Sequence, residues 1–126
     1  MSSADCPFCG YAAALTEGDW NRVVAADDDA FILQPNSPVV RGHRLAVPRT
    51  HVQDALEDPA VTAATMKLAC EEAPYPCNLI TSAGSSATQT VMHLHIHIVP
   101  RRRGDGLRLP WGGAHGRRVR QGERTP

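Results

Sequence analysis

The sequence predicts a single α+β domain. One strongly signalled helix lies among several short β-type runs. Those runs do not alternate regularly with helices, which argues against a doubly wound parallel sheet. The 126 residues suffice for one modest hydrophobic core.

The elements follow in order. After Cys6-Pro7-Phe8-Cys9, residues Tyr11 to Gly18 form a short stretch of ambiguous type. Asn21 to Ala26 reads as a strand, Asp27-Asp28-Asp29 as a turn, and Ala30 to Gln34 as the next strand. Pro35, Asn36, Ser37 and Pro38 make a loop into Arg44-Leu45-Ala46-Val47, a strand closed by Pro48. Two antiparallel strands joined this way begin a sheet. Asp58-Pro59 supplies an N-cap and a proline at the first helical position. Val61, Thr65, Leu68 and Ala69 then recur at helical spacing to about Glu72, and Pro74 and Pro76 stop the helix. Cys77 to Thr81 is a strand, Ser82 to Thr88 a loop of small residues, and Gln89-Thr90 leads into the last strand.

That strand, residues 91 to 100, carries His93, His95 and His97 at alternate positions. In an extended chain alternate side chains share a face. The three imidazoles therefore line one side, and Met92, Leu94, Ile96 and Ile98 the other. Serine, threonine or lysine would serve equally well on a merely solvated face, so three rings that titrate near neutrality point to chemistry. One reading is a nucleophilic ring with helpers; the other is an open three-histidine zinc site. Successive alternate residues of one straight strand diverge too far to meet on one ion unaided, which favours the nucleophile.

Composition narrows the function classes. Hydrophobic residues at 42% and charged residues at 21% fit a water-soluble globular chain, and no apolar run approaches the ~18 residues of a membrane helix. The first ten residues lack the basic-then-apolar order of a secretory signal, so the cytoplasm is expected. Residues 1–100 hold five basic against eleven acidic side chains, whereas 101–126 hold eight arginines against two acids. Residues 1–111 are accordingly read as one domain and 112–126 as a basic, disordered tail. Arg101-Arg102-Arg103 either attracts a polyphosphate or is simply solvated. Without aromatic residues among the arginines, nucleic acid is not an expected partner. The glycines spell neither a dinucleotide fingerprint nor a phosphate loop, so any phosphate must be held by side chains and loop amides.

Cys6 and Cys9 have the spacing of half a zinc site. Too few residues precede them for a thioredoxin-like strand, and no second pair exists, so histidines must complete a metal site. Cys70 and Cys77 are read as free, buried thiols of a reducing compartment.

The combination of His93-Leu94-His95-Ile96-His97-Ile98-Val99, Gly42-His43-Arg44-Leu45-Ala46-Val47-Pro48-x-x-His51, Gln89-Thr90-Val91 and Cys6-x-x-Cys9 resembles the histidine triad (HIT) family. Pro100-Arg101 and Gly104-Asp105 are similar to its diadenosine-polyphosphate-hydrolase branch. The resemblance implies an antiparallel sheet of about five strands with one main helix and a short helix, assembled as a homodimer across the main helix and a strand. It implies attack of a histidine on the α-phosphorus of a nucleotide, with hydrolysis of the resulting nucleotidyl-histidine. By position, His95 is the nucleophile and His97, Gln89, Thr90 and Ser82 face the phosphates, Ser82 standing where the family has glutamine or asparagine. His43 supports the cluster, and Asn36 is the candidate ribose or base contact in place of the family's acid. Cys6, Cys9, His51 and His93 become the ligands of a structural zinc. Trp111 is read either as closing the partner chain's site or as an ordinary packed aromatic. Implied substrates are dinucleoside polyphosphates, adenosine phosphoramidates and acyl or aminoacyl adenylates, with phosphate an alternative acceptor to water. A module that binds nucleotide without turning it over is the alternative of another class.

Overall fold

The computed structural model describes residues 3–111; the basic tail expected at 112–126 lies outside the described residues. After a single 3-10 turn, Ser3–Asp5, come α1 (Pro7–Thr16), β1 (Val23–Ala26), β2 (Ala30–Leu33), β3 (Arg44–Pro48), α2 (Pro59–Glu72), β4 (Cys77–Ile80) and β5 (Ile96–Pro100). The strands form one sheet in the order β1-β2-β3-β5-β4, every neighbouring pair antiparallel. This is the α+β architecture and the strand number expected.

The two helices cover opposite faces of the sheet. Phe31 and Leu33 of β2 and Leu45 and Val47 of β3 pack with Phe8, Ala12 and Leu15 of α1. Their alternates Ala30, Ile32 and Ala46 pack with Leu68 and Ala69 of α2 and with Leu94, Ile96 and Ile98. β2 and β3 are thus buried on both sides, which is why their sequences are apolar at nearly every position rather than alternating.

Local chemistry sets the boundaries. Asp58 caps α2 by accepting from the Ala60 N–H at 3.1 Å, with Pro59 behind it. Ala73, immediately before Pro74, is driven into extended backbone and ends the helix. The carboxylate of Asp27 accepts from the N–H groups of Asp29 and Ala30, closing the β1–β2 turn. β1 starts at Val23 rather than Asn21 because Arg22 takes a left-handed conformation, φ 66°. From there the Arg22 guanidinium donates to the carbonyls of Gln34 and Pro35.

Two expectations are corrected and two open readings are resolved. The ambiguous stretch from Tyr11 to Gly18 belongs to a ten-residue helix beginning at Pro7, capped by the Cys6 sulfur, which accepts from the Cys9 N–H. Residues 91–100 are not one regular strand: only Ile96–Pro100 joins the ladder, and the Leu94 N–H instead donates to the Val52 carbonyl at 2.8 Å. The alternation survives this break, because Leu94 still points into the α2 core. Cys70 is exposed and Cys77 half-buried, both as free thiols, since the buried face of α2 is Thr65, Leu68 and Ala69. Arg101 is committed internally rather than offered to a ligand: it grips both oxygens of Asp105 and also donates to Asn78 and to the Leu107 carbonyl. Trp111 is 53% exposed. No helix among the described residues is long and apolar enough to cross a membrane.

Candidate active site and metal centre

A cavity of about 280 Å³ opens on the α1 face of the sheet. Phe8, Tyr11, Leu33, Leu45 and Val91 give it an apolar wall, and His43, His95, His97 and Thr90 a polar one. Asn36 and Ser37, from the loop after β2, also line it. The structure therefore gathers His43, His95, His97, Thr90 and Asn36 around one volume. Gln89 and Ser82 do not line it.

The ring nitrogens have assignable hydrogens. The Val39 N–H donates to His43 Nδ1 at 3.1 Å, so the hydrogen of that ring sits on Nε2. His43 Nε2 then donates to His97 Nδ1 at 3.0 Å. By elimination, His97 carries its hydrogen on Nε2 and is a donor. His95 Nδ1 lies 2.9 Å from the His93 carbonyl and must donate to it, which leaves His95 Nε2 with a bare lone pair. The Thr81 hydroxyl holds the His95 carbonyl at 2.8 Å, and Phe8 meets the His95 ring edge-on with centroids 5.1 Å apart. Protonation is disfavoured throughout the group. Burial lowers the pKa of His95, partly opposed by its bond to the His93 carbonyl. Burial, with the neighbouring His95 and His43, brings His97 down to about 4. Burial and the charge of Arg44 lower His43. The cavity thus presents one neutral nucleophile beside one neutral donor.

On the other side of Phe8, the ligand atoms of Cys6, Cys9, His51 and His93 all lie within 4.8 Å of one another. His93 Nδ1 is 3.3 Å from Cys6 Sγ, 3.6 Å from Cys9 Sγ and 3.1 Å from His51 Nδ1; Cys9 Sγ is 3.1 Å from His51 Nδ1. Ligands around a tetrahedral zinc stand roughly 3.3–3.8 Å apart, and these four separations lie within a few tenths of an ångström of that range, so the residues could hold the metal. The donor chemistry agrees. His93 Nε2 donates to the Pro48 carbonyl at 2.9 Å, which turns the unprotonated Nδ1 toward the cluster. Burial and the adjacent Cys6 push the Cys9 thiol up to about 11, so that a cation would be needed to ionise it near neutrality. Four such side chains would complete a tetrahedral set.

Gln89 is 3% exposed, with its side-chain amide fully occupied by backbone groups. Ser82 is half-buried on the preceding loop. Sequence reasoning missed the apolar wall. Its signal was present in the Pro7-Phe8 pair between the cysteines, with Tyr11 one helical turn on.

A family model described as HIT domain matches residues 19–104. An uncharacterized HIT-like protein of Saccharolobus solfataricus is 34% identical over 105 residues, covering 75% of this chain and 73% of its own. Adenylylsulfatase HINT3 of Arabidopsis thaliana is 29% identical over 116 residues, 82% of this chain and 55% of that protein. Among solved structures, a Zn-bound histidine triad family protein from Mycobacterium smegmatis superposes with a TM-score of 0.67 at 32% identity, over 85% of this chain and 82% of that one.

Proposed function

The chain belongs to the HIT domain family, and from that premise we propose that it is a nucleotide hydrolase or nucleotidyl transferase acting through a covalent nucleotidyl-His95 intermediate. One observation carries the reading: the His95 Nδ1 bond to the His93 carbonyl, which leaves Nε2 as a neutral nucleophile inside the cavity. The Nε2 lone pair attacks the α-phosphorus and forms an N–P bond while the bond to the leaving group breaks, its electron pair departing with that group. Water then attacks the same phosphorus, the N–P bond breaks, and neutral His95, a nucleoside monophosphate and a proton are returned. His97 Nε2 and Thr90 donate to the phosphoryl oxygens as charge builds there. His43 holds His97 in the donating tautomer. The base and ribose occupy the slot between Phe8, Tyr11 and Leu33, with Asn36 at the sugar. An adenylylsulfatase among the relatives supports a nucleotide bearing a good leaving group. Dinucleoside polyphosphates, the diadenosine class included, and phosphoramidates share the same reacting phosphorus.

Zinc would be held by Cys6, Cys9, His51 and His93. When bound, it cross-links three chain segments and supplies no reacting group. As the resemblance to the family implies, two copies would join across α2 and a strand as a homodimer.

The experiment is intact-protein mass spectrometry after rapid mixing with diadenosine tetraphosphate, adenosine phosphoramidate or adenylyl sulfate. Wild type gains one adenylyl group transiently. His95→Ala gains none but still binds AMP. Turnover by His95→Ala, or no adduct and no product with any of the three, refutes the proposal.

A further inference from the structure

We infer that Gln89 is a positioning residue for Thr90, acting on the phosphate through its neighbour rather than as a phosphate ligand; this rests on the nucleotide reading above. The side chain of Gln89 offers two N–H donors and an acceptor oxygen, and the fold uses all of them. Its Oε1 accepts from the Gly84 N–H at 2.8 Å, while the Gln89 N–H returns a bond to the Gly84 carbonyl at 3.1 Å, a reciprocal pair that closes the loop. Its Nε2 donates to the Gln53 carbonyl at 2.7 Å and to the Val91 carbonyl at 3.0 Å. The loop at 84 and the chain two residues before His93 are thereby fastened, through one buried amide, to a segment 36 residues away, the chain two residues beyond His51.

Thr90 lies inside this tie, between Gln89 and Val91. It is exposed to the cavity, as Val91 is in part. Among the described residues no hydrogen bond holds the Thr90 side chain, so its orientation depends on its two neighbours. Glutamine suits the task uniquely among neutral side chains of this reach. Asparagine is a methylene short. Glutamate keeps the acceptor for Gly84 but faces two carbonyls with no donor. An amide committed to three backbone partners has no donor left for a phosphate.

The test is a double-mutant cycle in kcat/KM with adenylyl sulfate, and in Kd for AMP, using Gln89→Met, Thr90→Val and the double variant. Each single change is expected to lower kcat/KM by about 10- to 100-fold. The double variant should lie within about twofold of Thr90→Val alone, because Gln89 has nothing left to position. Multiplying effects would mean that Gln89 acts on substrate directly and would overturn the inference. So would a Gln89→Met protein with lowered Tm but wild-type kcat/KM, which would make the tie structural only. If Gln89→Met does not fold, Gln89→Glu, retaining the Gly84 bond, replaces it in the same cycle. Additive effects in an active wild type sink this inference alone, whereas a wild type that neither turns over nor binds AMP sinks the nucleotide reading and this with it.

Discussion

Removing the metal from the cysteine–histidine cluster should destabilise the fold without touching the reacting groups. The size of the effect follows from chain length. Cys6 and His93 are 87 residues apart in sequence and converge on one point. Closing a loop that long costs the chain about 4.5 kcal/mol of conformational entropy at 25 °C, which the metal's ligand bonds offset in the folded state. His51 adds a second cross-link within the same loop, so this is a lower bound on what those bonds offset. For a domain of this size about 3–5 °C of Tm accompanies each kcal/mol, giving a fall of about 13–23 °C. The assay is scanning calorimetry of protein as purified, after chelation under reducing conditions, and after zinc is restored, with metal content measured in parallel. Cys9→Ser should start near the chelated value and respond little to either treatment. His95→Ala, whose ring is no ligand, should lose as much Tm on chelation as wild type. A metal-free protein melting within about 3 °C of the loaded one would refute the reasoning. Instant loss of turnover at unchanged stability would point instead to an open, catalytic metal.

Replacing His43 by phenylalanine keeps a ring but removes the hydrogen bonds to Val39 and His97, so urea denaturation should show a loss of about 1–3 kcal/mol. The same variant should lose about 100-fold in kcat/KM, since His97 is released from its donating tautomer; unchanged turnover would show that the tautomer is set elsewhere. Stability should fall as pH drops from about 6.5 to about 4, because the unfolded chain protonates His97 near its ordinary value while the folded ring resists down to about 4. The sign is that of a depressed pKa: the full contribution is present above 6.5 and about 3 kcal/mol at most is lost by pH 4. Denaturation across that window should show a flatter slope for His97→Gln. Thr88 is a β-branched residue at φ 76°, ψ 16°, so Thr88→Gly should raise stability by about 1 kcal/mol; a lower Tm would show that its side chain holds the loop.

Much of this molecule was legible wherever one local cause suffices. Asp58-Pro59 announces α2 because cap and proline act within four residues. Ala30–Leu33 and Arg44–Pro48 announce themselves as strands, although only the structure shows that their unbroken apolar character comes from burial on both faces. The histidine alternation points to the cavity, but it could not reveal that His93 and His95 stand before the ladder, since a distant Val52 carbonyl takes the Leu94 hydrogen bond. Helix α1 stays ambiguous in the sequence because its first turn also carries the Cys6-x-x-Cys9 spacing of a metal site. Phe8, Ala12 and Leu15, spaced by four and three, were the available signal. Gln89 was opaque for a different reason: its partners are backbone groups, one of them 36 residues away, and a sequence records no backbone partners.

Pro7 and Phe8 form part of the cavity wall while standing between Cys6 and Cys9, two of the proposed metal ligands, and Phe8 touches the rings of both His93 and His95. Anyone redesigning this cavity for a bulkier base therefore cannot treat specificity and assembly as separate dials. A library varied at Phe8 will be filtered first by whether the cysteine pair still closes, and only afterwards by what fits the slot. Screening such variants without supplying metal would discard active designs for the wrong reason.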